Sequence, residues 1–238
     1  MDKIIDLHLS FMDRLIEEGD VLRELERERI FILPGFTDQA ELVRSYYKKY
    51  YSKPSQRIVF CGINPGKFGA GKTGVPFIDF YGISRLLPGI SLLLPAHDRQ
   101  EKERSAQFML SIIEEYGVGE FQDAVYVTNL SWYGFLRDGR NLNYYILPRA
   151  VRHHFIESFV EEMKIVQPSF IVPLSEEVGR TLRQMVKDGQ LDYPIAERLP
   201  HPLHGSFPTN LKKTRMRYHK CIEQHTGLQR KGIYPREE

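Results

Sequence analysis

The chain has 238 residues, 42% hydrophobic, 27% charged and 12% aromatic, a balance that fits one large or two small globular domains and excludes a disordered chain. No apolar run approaches the roughly 18 residues of a membrane span, and the Met-Asp-Lys-Ile-Ile-Asp start lacks the marks of a signal peptide, so a cytoplasmic protein is expected. Two cysteines, Cys61 and Cys221, exclude a four-thiolate zinc or iron–sulfur site within one chain and are expected to serve as small apolar residues.

The net charge of +2 hides a gradient. Residues 1–30 carry nine acids and five bases, for −4, whereas residues 198–220 carry six Lys/Arg and no acid, for +6, with His201, His204 and His219 added. An anionic partner is expected at the basic end.

In chain order, Leu7, Phe11, Leu15 and Ile16 mark an amphipathic helix and residues 40–51 a second. Residues 57–63 read as a buried strand, followed by a long glycine-rich loop. Residues 107–116 have helical spacing, residues 124–130 read as a strand, and residues 146–166 place Ile156, Phe159, Val160 and Met163 in helical register. A third strand at 169–174 leads to a helix at 175–186, which Ser175 caps and Glu176 and Glu177 favour in its first turn. A weaker strand at 195–199 and a final helix from Pro208 or Thr209 through His219 close the pattern. Alternating strands and helices predict a three-layer α/β/α fold with a central, mainly parallel four-stranded sheet. No repeat or linker divides it, so one domain over residues 1–238 is expected, with residues 1–50 a helical extension packed on it. Ligands of such sheets collect beyond the carboxyl ends of the strands.

Beyond the first strand, residues 66–73 match G-x-x-x-x-G-K-[ST], the phosphate-binding loop of nucleoside triphosphatases. That motif needs a helix starting at Lys72-Thr73, and Gly74-Val75-Pro76 follows at once. It also needs an acidic strand end for magnesium, and the other strands end on Asn129 and on Pro173-Leu174-Ser175. The stretch reads better as a loop with Asn64 at its root and aromatic Phe77 at its far end. At the second strand end, the Asn129 amide suits the edge of an imide or simply a turn cap. Trp132 and Tyr133 beyond it suit a pocket wall or core. At the fourth, Pro200-His201-Pro202 makes a stiff mounting for an imidazole, or a structural histidine in a proline-rich turn. An apolar tip with Leu203, His204 and Phe207 precedes the bases Lys212, Lys213, Arg215, Arg217 and Lys220, a combination that suits DNA entry or a solvated basic face.

These residues together resemble the uracil-DNA glycosylase superfamily, most closely its single-strand-selective monofunctional members. The resemblance rests on Gly62-Ile-Asn-Pro-Gly-Lys-Phe-Gly-Ala-Gly-Lys-Thr-Gly-Val-Pro-Phe77, on Val127-Thr-Asn-Leu130 with Asp138-Gly-Arg-Asn-Leu142, on the 171–180 segment ending Val-Gly-Arg, and on His201-Pro202. It covers roughly residues 57 to 219. Two departures stand out: Leu203-His204 where the family usually has Ser-Pro, and Lys67 in place of a Pro. The two cysteines exclude the branches with an iron–sulfur cluster.

The resemblance implies DNA, single- or double-stranded and containing uracil, as partner, a monomer, and no metal or organic cofactor. Phe77 would stack on a flipped uracil and Asn129 would read its O4/N3–H edge. Gly62, Ile63 and Pro65 would complete the pocket, and Gly66 would leave room at C5, so 5-modified uracils are expected as substrates. His201 would donate to uracil O2, and Asn64 would position the attacking water. Leu203, His204, Ser206, Lys212, Lys213 and Arg215 would contact DNA. Asp79 would assist the water or cap a helix, the cap being favoured. Lys67 and Lys72 leave a Schiff-base variant formally open. The alternatives are the triphosphatase and a DNA-binding protein without catalysis.

Overall fold

The computed structural model describes residues 2–91 and 96–231. Its strands are β1 (Ile30–Ile32), β2 (Ile58–Gly62), β3 (Val125–Asn129), β4 (Phe135–Arg137), β5 (Arg140–Leu142) and β6 (Ile171–Pro173). The longer helices are α1 (Asp2–Glu18), α2 (Asp20–Arg27), α3 (Ala40–Tyr51), α4 (Phe80–Leu86), α5 (Arg104–Tyr116), α6 (Val118–Ala124), α7 (Arg149–Val166), α8 (Glu176–Lys187) and α9 (Pro208–Thr226).

The central sheet runs β3-β2-β6, all parallel, with Gly62 paired to Asn129 and Cys61 to Pro173. Every residue of β2 and β3 is buried, which an apolar, β-branched run achieves only when both faces are covered. Cys61 is a buried free thiol in this core and Cys221 a partly buried one.

The expected fourth strand is reduced to a single bridge between Ile195 and Ile171. Ile171 N–H donates to Pro194 O and Ala196 N–H to Ile171 O, both at 2.9 Å, but the ladder cannot continue. Pro173 has no N–H to give, so only its carbonyl is used, by Leu199 N–H at 2.9 Å. The central sheet therefore has three strands, and residues 195–199 follow its edge and deliver His201 beyond it.

A second sheet, β1-β4-β5, is antiparallel and was not among the expected elements. Its β4–β5 hairpin turns at Asp138 (φ 51°) and Gly139 (φ 72°). Left-handed backbone at both turn residues is the geometry that Asp-Gly favours between antiparallel strands.

The N-terminal helix α1 packs on α7 and α3, with the Phe11 ring 5.2 Å from Phe155. It brings His8 into the core, stacked 4.1 Å from Trp132. Glu162 of α7, fully buried, accepts from the Tyr126 hydroxyl at 2.7 Å and the Trp132 indole at 2.8 Å. His8 Nε2 lies 3.3 Å from the same carboxylate, and burial lowers the His8 pKa, against the pull of Glu162. Trp132 and Tyr133 are thus core residues, Tyr133 donating to His8 O at 2.7 Å. Among the described residues no helix is long and apolar enough to cross a membrane.

Glu162→Ala leaves the buried Trp132 indole without an acceptor and Tyr126 with only the long 3.4 Å bond to the Tyr47 hydroxyl, and should cost about 3–5 kcal/mol in chemical denaturation. Glu162→Gln, which retains an acceptor and the volume, should cost clearly less.

Candidate active site

Four segments converge beyond the carboxyl ends of β2 and β3: the loop after β2, the turn at Phe77, Asn129, and the Pro200-His201-Pro202 segment. They enclose a cleft of about 200 Å³ whose lining includes Asn64, Phe77, Glu103, Asn129, His201 and Leu203. Ile63, Pro65 and Gly66 line the same cleft, and Gly62 lies beneath it.

Gly62 sets the floor. A Cβ there would fall 2.3 Å from Asn129 Oδ1 and 2.6 Å from Phe77 Cζ, so the ring and the amide close over a position that must be glycine. Asn129 is 2% exposed, and its amide has no hydrogen-bond partner among the described residues. An unpaired amide at the bottom of a cleft is available to a ligand and costly to leave unused. Phe77 adopts φ 57°, a strained value for an aromatic residue. The turn is held by Thr73, whose hydroxyl donates to Ile78 O at 2.6 Å.

Asn64 is clamped across the two sheets. Its Oδ1 accepts from Tyr144 N–H at 2.8 Å, and its Nδ2 donates to Leu142 O at 3.2 Å and Pro65 O at 3.1 Å. This fixes the amide orientation and leaves an acceptor site on Oδ1 for a water. His201 Nδ1 accepts from Leu203 N–H at 3.2 Å, so the neutral ring carries its proton on Nε2. Burial lowers the His201 pKa from the usual 6.5, with Glu103 opposing and His204 adding to the effect. The imidazole sits 5.9 Å from the Phe77 ring, tilted by 50°.

Leu203 lines this cleft and is exposed, His204, Lys212 and Lys213 are exposed beyond it in the chain, and Ser206 is half-buried, its hydroxyl donating to Leu203 O at 2.8 Å. Arg215 does not join them. Its guanidinium turns toward α5, donating to Ser111 Oγ at 2.8 Å and pairing with Glu115, because Glu115 is otherwise a buried charge. Phe68, 51% exposed, adds an apolar residue to the rim.

The triphosphatase motif dissolves in this geometry. Residues Ala70–Thr73 make a single helical turn, ended by Gly74 at φ 72°. Lys72 pairs with Glu101 at 2.6 Å, and Lys67 Nζ donates to Gly139 O at 2.9 Å, so neither amine enters the cleft. Asp79 is the N-cap of α4: it accepts from Gly82 N–H at 2.7 Å, Glu103 N–H at 2.7 Å and Gln107 Nε2 at 2.8 Å. At 2% exposure it does not line the cleft, so it caps rather than assists a water there.

The polar lining residues Glu103, Ser105, Asn141 and Asn143 were given no role by the sequence reading. Asn141 Oδ1 accepts from Lys67 N–H at 2.9 Å and pins the loop beside Gly66. The Asp138-Gly139 turn signal would have predicted the hairpin that brings the asparagines here. Glu103 reaches the cleft through a long connection with no comparable signal.

The family model of the uracil DNA glycosylase superfamily matches residues 49–224. Over 70 residues the chain is 39% identical to the single-strand selective monofunctional uracil DNA glycosylase of Bos taurus, a match spanning 29% of this chain and 25% of that protein. The crystal structure of wild-type Pedobacter heparinus SMUG2 superposes with a TM-score of 0.69 at 22% identity, covering 82% of this chain and 88% of that one. Given the extent of the family match and the shared fold, the chain belongs to the uracil DNA glycosylase superfamily.

Proposed function

We propose that the protein is a monofunctional uracil-DNA glycosylase, a single-domain monomer acting in the cytoplasm on uracil in DNA. The observation that carries this is the unpartnered Asn129 amide at the cleft floor, beside the Phe77 ring and below Asn64 and His201. Membership of the superfamily supports it.

A base inside a duplex is unreachable, so the nucleotide enters flipped or from a single strand. Phe77 stacks on the base. Asn129 accepts from N3–H and donates to O4, a pairing that cytosine reverses, and such a mismatch in a buried site can cost on the order of 10⁴-fold. Gly66 leaves the C5 side open, which admits 5-modified uracils. As the C1′–N1 bond breaks, its electron pair leaves on uracil, and neutral His201 donates Nε2–H to the growing charge on O2. Water held by Asn64 Oδ1 adds to C1′, and the proton it sheds passes to solvent through the open cleft. An amide is too weak a base to take that proton, so Asn64 positions. The distant amines of Lys67 and Lys72 support water over a Schiff base. Exposed Lys212 and Lys213 meet phosphates, with Leu203, His204 and Ser206 at the DNA surface.

In single-turnover release of uracil from oligonucleotides, His201→Ala and Asn64→Ala should each slow the reaction by about 10²–10³-fold while circular dichroism stays native. Wild-type rates in both would overturn the assigned roles.

Because burial lowers the His201 pKa, the neutral ring persists as pH falls through 6.5, and protonation of Nδ1, which keeps Nε2–H but breaks the bond from Leu203 N–H, comes only at lower pH. The rate should stay level from pH 8 through 6.5. An acid limb with its midpoint above 6.5 would contradict a neutral donor.

A further inference from the structure

We infer that Glu103 is a further catalytic residue, its carboxylate placed at the cleft wall to balance the positive charge that develops on the deoxyribose as the base departs. The inference rests on the glycosylase reading and adds a group that the reading so far lacks.

A glycosidic bond that breaks ahead of water attack leaves an oxocarbenium-like sugar. Asn64 is neutral, His201 is neutral, and Asp79, 2% exposed, caps α4 without lining the cleft. Among the residues lining the cleft, Glu103 alone carries a carboxylate. Its position in depth is suitable. Asn129 and Phe77, for the base, are buried at 2% and 9% exposure, while Leu203, for the DNA surface, is 41% exposed. Between them lie Asn64, His201 and Glu103, all half-buried. The sugar of a flipped nucleotide must occupy that middle level, with its base below and its phosphates above. Its charge also acts on the imidazole, opposing the burial that lowers the His201 pKa.

The group is held rigidly. Oε2 accepts from Ala106 N–H at 2.8 Å, Oε1 accepts from the Ser105 hydroxyl at 2.9 Å, and the Glu103 N–H donates to Asp79 Oδ2 at 2.7 Å. Gly69 lies flush against it, a Cβ there falling 3.4 Å from Oε2. These contacts cap α5, yet a cap alone does not require a carboxylate in the lining of a cleft that, on the glycosylase reading, takes a polyanion, where it opposes phosphate binding. A fixed negative charge that weakens binding and is retained makes sense if it acts on the cationic transition state, with which it interacts more strongly than with the neutral ground state.

The test is Glu103→Gln, which keeps the shape and an acceptor for Ala106 N–H, beside Glu103→Asp, which keeps charge and capping. Uracil release is measured under single-turnover conditions, and affinity is measured for DNA carrying a 2′-fluorinated deoxyuridine that resists cleavage. Glu103→Gln should be about 10- to 100-fold slower, with affinity unchanged or tighter, and Glu103→Asp should recover most of the rate. A purely capping role leaves both variants at the wild-type rate, and that result overturns the inference. So does a rate loss matched by an equal loss of affinity. Absence of release by the wild-type chain would overturn the glycosylase reading and this inference together, so the two failures are distinguishable.

Discussion

The cleft exists because position 62 carries no side chain. The parallel register sets Gly62 opposite Asn129, and the Phe77 ring and the Asn129 amide both close to within contact of the bare α-carbon. A single methyl would push them apart and abolish the flat slot between them. The unfavourable φ of Phe77 follows from the same demand. Its ring must fold back over the sheet end, and the buried hydroxyl of Thr73 holds the turn that allows it. Strain of this kind, about 1–3 kcal/mol, survives only where surrounding contacts over-determine it.

The remaining groups are arranged around that slot by separate devices. The small antiparallel sheet clamps Asn64 through Leu142 O and Tyr144 N–H, which fixes the orientation of its amide. The edge of the parallel sheet, cut short at Pro173, releases the chain toward Pro200-His201-Pro202. Leu203 N–H then selects the ring tautomer. Asp79 links the loop after Phe77 to α5 through Glu103 N–H. Each device fixes one polar group in advance, the preorganisation that the proposed reaction needs to stabilise a departing anion and a cationic sugar.

The parallel core was legible because its strands are continuous apolar runs, and α1, α3 and α8 appear where spacing and caps placed them. The structure brings Asn64, Phe77, Asn129 and His201 to one cleft, as the ends of the first, second and fourth expected strands suggested. Other features were hidden for physical reasons. A strand at 195–199 looks adequate by itself, but its ladder depends on a proline in its neighbour. The Gly-Lys-Thr motif matches a phosphate loop letter for letter, while its lysine and threonine are spent on Glu101 and Ile78. Arg215 belongs to a basic run by sequence and to a partly buried ion pair with Glu115 by packing. Glu103 lies far from Asn64 in the chain, and only the folded loop sets them on one wall.

The most direct test offers the wild-type protein otherwise identical oligonucleotides bearing uracil, cytosine or thymine at one position, and identifies free bases by mass spectrometry. A cleft that reads the uracil edge through Asn129 should release intact uracil, leave an alkali-labile abasic site, and spare cytosine by on the order of 10⁴-fold. Release of cytosine at a comparable rate, or no free base from any strand, would contradict it.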